Sequence, residues 1–302
     1  AFINTYFLHR GFLENGKVLR GTRHIDLEEF EKSYENAILE ERAEESMPAL
    51  GVERVDDFSW KQVLDAFSCT HCSRCTDVCP AHASGSSLDP MWMHINLRNL
   101  CEEKSQINGA SRAVIGKILS KEAVFDCLLC GACEEACPVG IEHLSKIIDL
   151  RRNLSSQELA PEKFSRLANA IERSSNPWAL AQKDRGEVFE NFIPSQDPEI
   201  IIFAGCMSSY DTHEKKLFRV FLRFLEDVRI RFTFLGEQEQ CCGEPLRALG
   251  DEYGFQTCGR GNIERFSKLN CEKIVTLCPH CAHTIRDAYH DLGVKFKVYH
   301  AL

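Results

Sequence analysis

The sequence contains no long apolar run. None of its hydrophobic stretches approaches the ~18–20 residues that a membrane-spanning helix needs. Its first residues show no basic start followed by an apolar stretch and a small-residue cleavage site, so we expect no export signal. The glycine fingerprint GxGxxG of dinucleotide-binding folds is also missing. This absence argues against binding of NAD or FAD by the chain itself.

Positive charge is scarce. The 302 residues hold 36 Lys and Arg against 45 Asp and Glu, a net charge of −9, so the basic footprint of a nucleic-acid-binding protein is lacking. The excess of acidic over basic residues is concentrated in residues 24–57, which carry twelve acidic and three basic side chains. Apolar residues recur there at helical spacing, from Leu27 to Leu39, and predict an acidic helix with a solvated face. Residues 1–23 are instead aromatic and basic, as in a surface arm or the cytoplasmic flank of a membrane helix.

The first half of the chain has the pattern of a helical protein. A capping box begins at Ser59, and Asp89 before Pro90 is typical of a second helix start. Helical periodicity also appears at Val114–Leu119 and in residues 144–148 and 164–171. No strand is predicted before residue 198.

The pattern changes after a polar, proline-containing linker at residues 194–198. Strands are predicted at residues 200–204, 230–235, 273–277 and 294–298, and helices at 217–225, 245–270 and 281–291. This alternation favours an open α/β sheet with parallel neighbours. We therefore expect an α plus α/β fold: an arm and acidic helix in residues 1–58, a helical domain in 59–193 and an α/β domain in 194–302.

Cysteine is the residue type that carries the chemistry. Sixteen cysteines occur, and thirteen of them lie in three tight groups. The chain is too long, and the spacing too uneven, for a disulfide scaffold. Scattered buried thiols would not cluster in this way, so the groups indicate metal sites in a reducing compartment. Cys101, Cys258 and Cys271 stand apart and are interpreted as packing residues.

Two of the groups are equivalent runs. Each run has three cysteines at every third position, then three intervening residues, a fourth cysteine and a proline. The second run lies 58 positions after the first. This spacing is that of bacterial two-cluster ferredoxins, in which the fourth cysteine ligates the other cluster. We expect one 4Fe–4S cluster on each of two crossed sets: Cys69, Cys72, Cys75 and Cys137, and Cys127, Cys130, Cys133 and Cys79.

Zinc is the alternative for these runs, although zinc sites usually combine CxxC pairs separated by a long loop. The segment between the runs is helical. A helical ferredoxin domain is therefore expected, similar to the one on electron-transfer subunits of fumarate and succinate enzymes.

The third group comprises Cys206, Cys241, Cys242, Cys278 and Cys281. These residues follow predicted strands, and the carboxyl edge of an open α/β sheet is where ligands bind. The adjacent thiols of Cys241 and Cys242 cannot easily serve separate corners of one cube, but they suit a more open cluster. Gly205 and Gly243 would let the backbone approach a cofactor closely. The zinc alternative here uses Cys278, Cys281, His280 and His283.

The five-cysteine group resembles the CCG domain of heterodisulfide reductase and related iron–sulfur oxidoreductases. That resemblance implies a noncubane 4Fe–4S cluster held by all five cysteines. The order of the two domains resembles the D-type subunit of heterodisulfide reductase. The stretch from Val55 into Cys75, with Gly205–Asp211 and Cys278–Cys281, is most similar to membrane-bound oxidoreductases of the electron-transferring-flavoprotein:menaquinone type. The similarity covers residues 50–302.

The resemblance implies an iron–sulfur oxidoreductase that relays electrons through two cubane clusters to or from the noncubane site. Its expected partners are a flavoprotein or another iron–sulfur subunit and a membrane domain or subunit. The expected location is the cytoplasmic side of a respiratory complex that reduces quinone. The alternative activity is cleavage of a disulfide at the five-cysteine site, with these cysteines in a catalytic role; a scaffold with structural metal is weaker. Such relatives commonly carry a second CCG domain and a haem-bearing membrane domain, which we expect on a longer protein or on other chains.

Overall fold

A computed structural model describes residues 25–40, 48–106 and 113–301. The chain divides into two compact units: unit 1 comprises residues 1–161 and 248–250, and unit 2 comprises residues 162–247 and 251–302. The predicted arm at residues 1–23 and the end of the predicted acidic helix lie outside the described residues. No helix among those described is both long and apolar enough to cross a membrane.

Unit 1 is helical, as predicted. Its single 3₁₀ turn among the described residues is Val55–Asp57, and its described strand-like features are isolated bridges only. The helices are α1 (Leu27–Leu39), α2 (Trp60–Ser68), α3 (Arg74–Asp77), α4 (Pro80–Ala83), α5 (Pro90–Gln106), α6 (Lys121–Asp126), α7 (Ala132–Glu135) and α8 (His143–Ser156).

Side-chain caps fix where two of these helices begin, and both predicted caps are confirmed. The amide of Gln62 donates to Ser59 Oγ at 3.3 Å, and the amide of Ser59 donates to Gln62 Oε1 at 2.9 Å. At the start of α5, Asp89 Oδ1 accepts from the amides of Met91 and Trp92 at 2.9 and 3.0 Å. Helix α2 ends at Ser68, directly before Cys69, the first residue of the first cysteine run.

The helical prediction for Val114–Leu119 is wrong. The segment is a tight turn in which Gly116 has a φ of +82° and its amide donates to the Leu119 carbonyl at 2.8 Å. Val114, Ile118 and Leu119 are nonetheless buried. The apolar spacing therefore predicts correctly which residues are buried but not that they lie in a turn, which the glycine at positive φ makes possible.

A buried ion pair joins α2 to α8. Asp65 on α2 and Lys146 on α8 are at most 1% exposed, and their charged atoms lie 2.8 Å apart. Lys61 binds the other oxygen of Asp65 at 2.5 Å, and the Lys146 ammonium also donates to the Glu142 carbonyl at 2.7 Å. Helix α2 precedes the first cysteine run and α8 follows the second, so this pair connects the helices on either side of the two runs.

Unit 2 contains a four-stranded parallel sheet. Its strands are β1 (Ile200–Ile202), β2 (Phe232–Phe234), β3 (Lys273–Thr276) and β4 (Lys297–His300). The helices of this half are α9 (Glu162–Ser174), α10 (Gly205–Tyr210), α11 (Thr212–Asp227), α12 (Glu244–Leu249, whose last two residues are counted in unit 1), α13 (Glu252–Ser267) and α14 (Pro279–His283). The strand order is β2-β1-β3-β4, with every pair parallel, so the predicted fold class is confirmed.

Two of the helices predicted for the second half of the chain are interrupted. The predicted helix 245–270 is broken at Gly250, which has a φ of +83°. In place of the single predicted helix 281–291, the short helix α14 is followed by a π-helical segment at Thr284–Ala288 and a 3₁₀ turn at Tyr289–Leu292. The apolar spacing thus predicts the helical content but not the breaks.

Unit 2 begins before the predicted linker. Helix α9 buries Ile171 in the same apolar cluster as Ile201 of β1 and Phe203. A 3₁₀ segment at Gln182–Phe189 follows it, and Val188 and Phe189 pack on the other face of β1. The predicted boundary at 193/194 thus lies inside unit 2, because an amphipathic helix does not indicate in its sequence which core it joins. The domain limits stay a prediction.

Candidate metal centres

The two cysteine runs of unit 1 share one backbone conformation. His71 and Leu129, 58 residues apart, both have positive φ, at 56° and 53°. Ser73 and Gly131, at the next equivalent positions, have φ of 62° and 78° and precede the short helices α3 and α7. Non-glycine residues at positive φ are uncommon and strained. Their recurrence shows that the two runs fold into equivalent loops.

Two cavities in unit 1 collect the eight cysteines of these runs. Each cavity takes three cysteines from one run and the fourth from the other. One is lined by Cys69, Cys72, Cys75 and Cys137, and the other by Cys127, Cys130, Cys133 and Cys79. These are the crossed sets that the spacing predicts, and their assignment as cluster ligands stays a prediction.

Several thiols of these runs do not ionise readily in the protein alone. Burial raises the pKa of Cys75 to about 11 and also raises the pKa of Cys69, Cys127 and Cys133, so the protein alone disfavours the thiolates. A bound metal reverses that preference because it deprotonates a coordinating thiol. The amides of Leu129 and Ile141 donate to sulfurs of Cys127 and Cys137 at 3.5 and 3.4 Å. Four sulfur donors with amide support fit an iron–sulfur cluster.

A histidine pair, which sequence reasoning missed, adjoins these cavities. His143 lines both of them and His94 lines the one at Cys69. The rings meet edge to face with centroids 4.5 Å apart. Burial lowers the pKa of His143 to about 3 and that of His94 well below its usual range. Both imidazoles are therefore neutral, and they fill the space beside the cavities without adding charge.

The structure brings all five cysteines of unit 2 together. Each side chain adjoins the next in the order Cys206, Cys241, Cys242, Cys281 and Cys278, and neighbouring thiols shift each other's pKa. Cys206 lies at the start of α10 just beyond β1, and Cys278 precedes α14 just beyond β3. Cys241 and Cys242 lie between the 3₁₀ turn after β2 and α12. The strands therefore end where the thiols converge, at the carboxyl edge of the sheet.

The five thiols differ in acidity. Hydrogen bonding from Cys281 lowers the pKa of Cys278 to about 5, and hydrogen bonds from Cys241 and Cys281 lower the pKa of Cys242. The pKa of Cys281 is raised by its hydrogen bonds to Cys242 and Cys278 and by burial. Two of the five thiols thus have a lowered pKa, and the thiolate is the form in which cysteine binds a metal.

The two predicted glycines play different parts. Gly205 has a φ of +71°, and a Cβ there would lie 3.0 Å from Cys281 Sγ. Gly243 has a φ of +84°, but a Cβ there would meet Phe255 at 3.0 Å and Cys258 at 3.4 Å. Only Gly205 permits a close approach to a cysteine of the site, whereas Gly243 permits packing of the loop against α13.

Gly205→Ala is expected to cost cluster content at the five-cysteine site. The new methyl group would displace the Cys281 sulfur, in addition to a left-handed backbone strain of about 1–2 kcal/mol. The measurement is iron and sulfide per chain after anaerobic purification. Gly293→Ala is the matched control, because its φ is +87° while nothing lies within 4 Å of its Cβ. Equal iron loss in both variants would show that strain alone, and not contact with the sulfur, explains the effect.

A buried ion pair beside the five cysteines was also missed from the sequence. Arg185 and Glu239 are each 0% exposed, and Arg185 Nη1 donates to Glu239 Oε1 at 2.7 Å. Arg185 Nη2 donates to Cys206 Sγ at 3.2 Å. The signal available was an acidic residue two positions before Cys241. Nothing in the sequence around Arg185 connects it to the cysteines.

The zinc alternative gains no support. Within residues 25–40, 48–106 and 113–301, no three His, Cys, Asp or Glu side chains are grouped to hold a single metal ion. His280 is exposed, and His283 Nε2 lies 3.6 Å from Asp287 Oδ2. A zinc site needs four ligands around one atom, whereas thiols spread around a cavity suit a larger cofactor.

Comparison with known sequences matches both groups of sites. Residues 68–141 match the 4Fe-4S dicluster domain family and residues 200–286 match the cysteine-rich domain family CCG. A dicluster domain followed by a CCG domain matches the pattern of iron–sulfur oxidoreductases. The first match spans both ferredoxin-type runs, and the second spans all five cysteines of unit 2.

Three proteins similar to this dicluster–CCG chain have functional names. EtfAB:quinone oxidoreductase of Syntrophomonas wolfei is 31% identical over 85% of this chain and 41% of its own length. The probable iron-sulfur-binding oxidoreductase FadF of Bacillus subtilis is 31% identical over 85% of this chain and 43% of its own length. A subunit of the dihydromethanophenazine:CoB–CoM heterodisulfide reductase of Methanosarcina mazei is 26% identical over 73% of this chain and 56% of its own length.

The dicluster–CCG chain spans about two fifths of the length of the first two of these relatives. None of the solved structures compared matches it significantly. Its relatives are iron–sulfur oxidoreductases, and its two domain types support iron–sulfur clusters as its cofactors.

Proposed function

We propose that this chain holds three 4Fe–4S clusters and passes single electrons between a flavoprotein and the quinone pool. The two cavities of unit 1 would hold cubane clusters, and the five cysteines of unit 2 a noncubane cluster. The crossing of the fourth cysteines between the two cavities carries the proposal, because that arrangement is the one used by two-cluster ferredoxins. When bound, such clusters accept and donate one electron at a time.

The chain's own residues would hold, shield and expose the cofactors. Cys75, Cys79 and Cys133 are buried, so part of each unit 1 ligand set is shielded from water. Cys72 and Cys130 are exposed, one in each cavity. Next to the second cavity, Leu128 is 67% exposed. An exposed thiolate beside an apolar side chain suits brief contact with a redox partner, since electron-transfer interfaces are small.

We place this activity in a respiratory complex at the cytoplasmic face of a membrane, with the membrane part on a longer protein or a separate subunit. The flavoprotein partner is taken from the name of the Syntrophomonas relative. The absence of a dinucleotide fingerprint in this sequence supports a separate flavoprotein as the source of electrons.

Disulfide cleavage at the five-cysteine site is the second candidate. The Methanosarcina relative is named for this activity, and Cys206 and Cys278 are only partly buried. Cleavage of one disulfide consumes two electrons and two protons and yields two thiols. The unit 1 clusters would supply those electrons one at a time.

The test begins with composition. We expect about twelve iron and about twelve acid-labile sulfide per chain, from three four-iron clusters. Dithionite-reduced protein is then mixed anaerobically with an oxidised electron-transferring flavoprotein or, separately, with a thiol-coenzyme disulfide. Fast reoxidation by the flavoprotein supports the relay. Fast reoxidation by the disulfide alone would replace the relay with the second candidate, and a protein with zinc and no iron would remove both.

A further inference from the structure

Arg185 is a charged residue at the edge of the five-cysteine site, and it comes from outside the matched CCG segment. It lies in the 3₁₀ segment Gln182–Phe189, whereas the match begins at residue 200. Its side chain is among the largest fully buried ones in the chain. The guanidinium carbon lies 5.4 Å from the centre of the Tyr210 ring, which closes one face of the group.

The guanidinium group is held in one orientation by three partners. Nη1 donates to Glu239 at 2.7 Å, and Nη2 donates to the Ser175 carbonyl at 2.8 Å as well as to Cys206 Sγ at 3.2 Å. Glu239 is fixed in turn, because its oxygens accept from the amides of Ala204 and Gly205 at 2.9 and 2.8 Å. The guanidinium therefore binds the sulfur of Cys206, while the carboxylate binds the backbone just before it.

Glu239 pairs the buried charge of Arg185, and the same guanidinium reaches a further acceptor, Cys206 Sγ. A buried charge costs several kcal/mol unless it is paired and hydrogen-bonded. The planar fork of arginine is always charged, so the same group that pairs with Glu239 also brings a permanent positive charge to the sulfur. Hydrogen bonds to cluster sulfurs are among the factors that set cluster potentials.

We propose that Arg185 raises the reduction potential of the cluster at the five-cysteine site through its hydrogen bond to Cys206 Sγ. The inference rests on the proposed cluster in this site. Adding one electron makes the cluster and its thiolates more negative, and the nearby guanidinium stabilises that state. Glu239 acts in the opposite direction, because its carboxylate disfavours the added electron. Arg185 is in this sense a positioning residue that acts through a ligand.

The test is a dithionite titration of the anaerobically purified chain, followed by electron paramagnetic resonance, in which each reduced cluster takes up one electron from the titrant. At the wild-type midpoint, Arg185→Gln is expected to lower the ratio of reduced to oxidised cluster about tenfold, or about 59 mV for a one-electron couple. Glu239→Gln is expected to shift the ratio the other way. Arg219→Gln is the matched control, since that arginine bonds the carbonyls of Glu187 and Val188 in the same segment.

The opposite signs separate this role from a structural one. A purely structural pair would give Arg185→Gln and Glu239→Gln the same direction of change, and an unchanged midpoint with normal iron content would also overturn the inference. If Arg185→Gln fails to load its cluster, Arg185→Lys keeps the charge but loses the forked geometry, and its midpoint must fall below the wild-type value. A wild-type chain with no signal from this site would instead contradict the proposed function.

Discussion

Replacing Cys137 by serine is expected to remove the cluster of the first cysteine run and to spare the cluster of the run in which Cys137 itself lies. The reason is the cavity lining: Cys137 faces Cys69, Cys72 and Cys75. Serine removes the thiolate that completes this set. We expect a loss of about four iron per chain, measured by iron and sulfide analysis together with paramagnetic resonance of the reduced protein.

The reciprocal variant and two controls make this test specific. Cys79→Ser is expected to remove the other cluster, because Cys79 lines the cavity of Cys127, Cys130 and Cys133. Cys101→Ser and Cys271→Ser should keep the full iron content, since neither residue lines these cavities. If Cys137→Ser abolished the signal of its own run, each run would hold its own cluster and the crossed assignment would be wrong.

Breaking the buried ion pair of unit 1 is expected to destabilise the chain by about 3–5 kcal/mol. Asp65→Asn leaves the Lys146 ammonium buried with only the Glu142 carbonyl and the new amide as partners. Because this pair joins the helices that flank both runs, cluster loss on heating should begin at a lower temperature than in the wild type. The measurement is anaerobic thermal unfolding followed by circular dichroism and by cluster absorbance.

A surface pair and a double replacement provide the comparison. Glu102→Gln weakens the more exposed pair with Arg98, whose ends are 3.9 Å apart, and such pairs contribute about 0–1 kcal/mol. The double variant Asp65→Leu with Lys146→Met should recover most of the loss, because no unpaired charge remains buried. An Asp65→Asn protein as stable as Glu102→Gln would contradict a structural role for the pair.

The same pair has a defined pH dependence. Burial opposes ionisation of Asp65, but Lys146 and Lys61 outweigh it and lower the pKa of this carboxyl. A carboxyl with a lowered pKa in the folded protein contributes its full stability above its unfolded value of about 3.9 and loses it as the pH falls through the folded value. The difference in unfolding free energy between wild type and Asp65→Asn should therefore be constant near neutral pH and shrink only in acid.

Cysteine spacing and strand pattern were the predictable parts of this molecule. Three thiols at every third position can curve around one cofactor only in a limited set of loop conformations, so the sequence of the runs implies their local shape. The apolar runs at Ile200 and Lys273 likewise placed β1 and β3, and with them Cys206 and Cys278. Both signals come from residues that are close together in the sequence, so they can be read without knowing which distant segments pack against them.

The features that escaped prediction depend on contacts between distant segments. The apolar spacing at Val114–Leu119 resembles that of a helix because a tight turn can bury the same positions. Gly116 is the residue that distinguishes the turn from a helix. The sequence of helix α9 does not indicate which hydrophobic core the helix packs against. Arg185 and Cys206 lie 21 positions apart in the sequence, and no spacing rule connects an arginine to a thiol at that distance.

If each crossed set of cysteines binds one cluster, as we propose, the crossing also imposes an order on biosynthesis. Translation must reach Cys133 before the set containing Cys79 is complete, and Cys137 before the set that begins at Cys69 is complete, so only four residues separate the two moments. Until then the first run leaves the ribosome as unmetallated thiols, open to oxidation to sulfenic acid or disulfide. Iron delivery to both centres thus becomes one late event, and a nascent chain stalled between the runs could acquire neither.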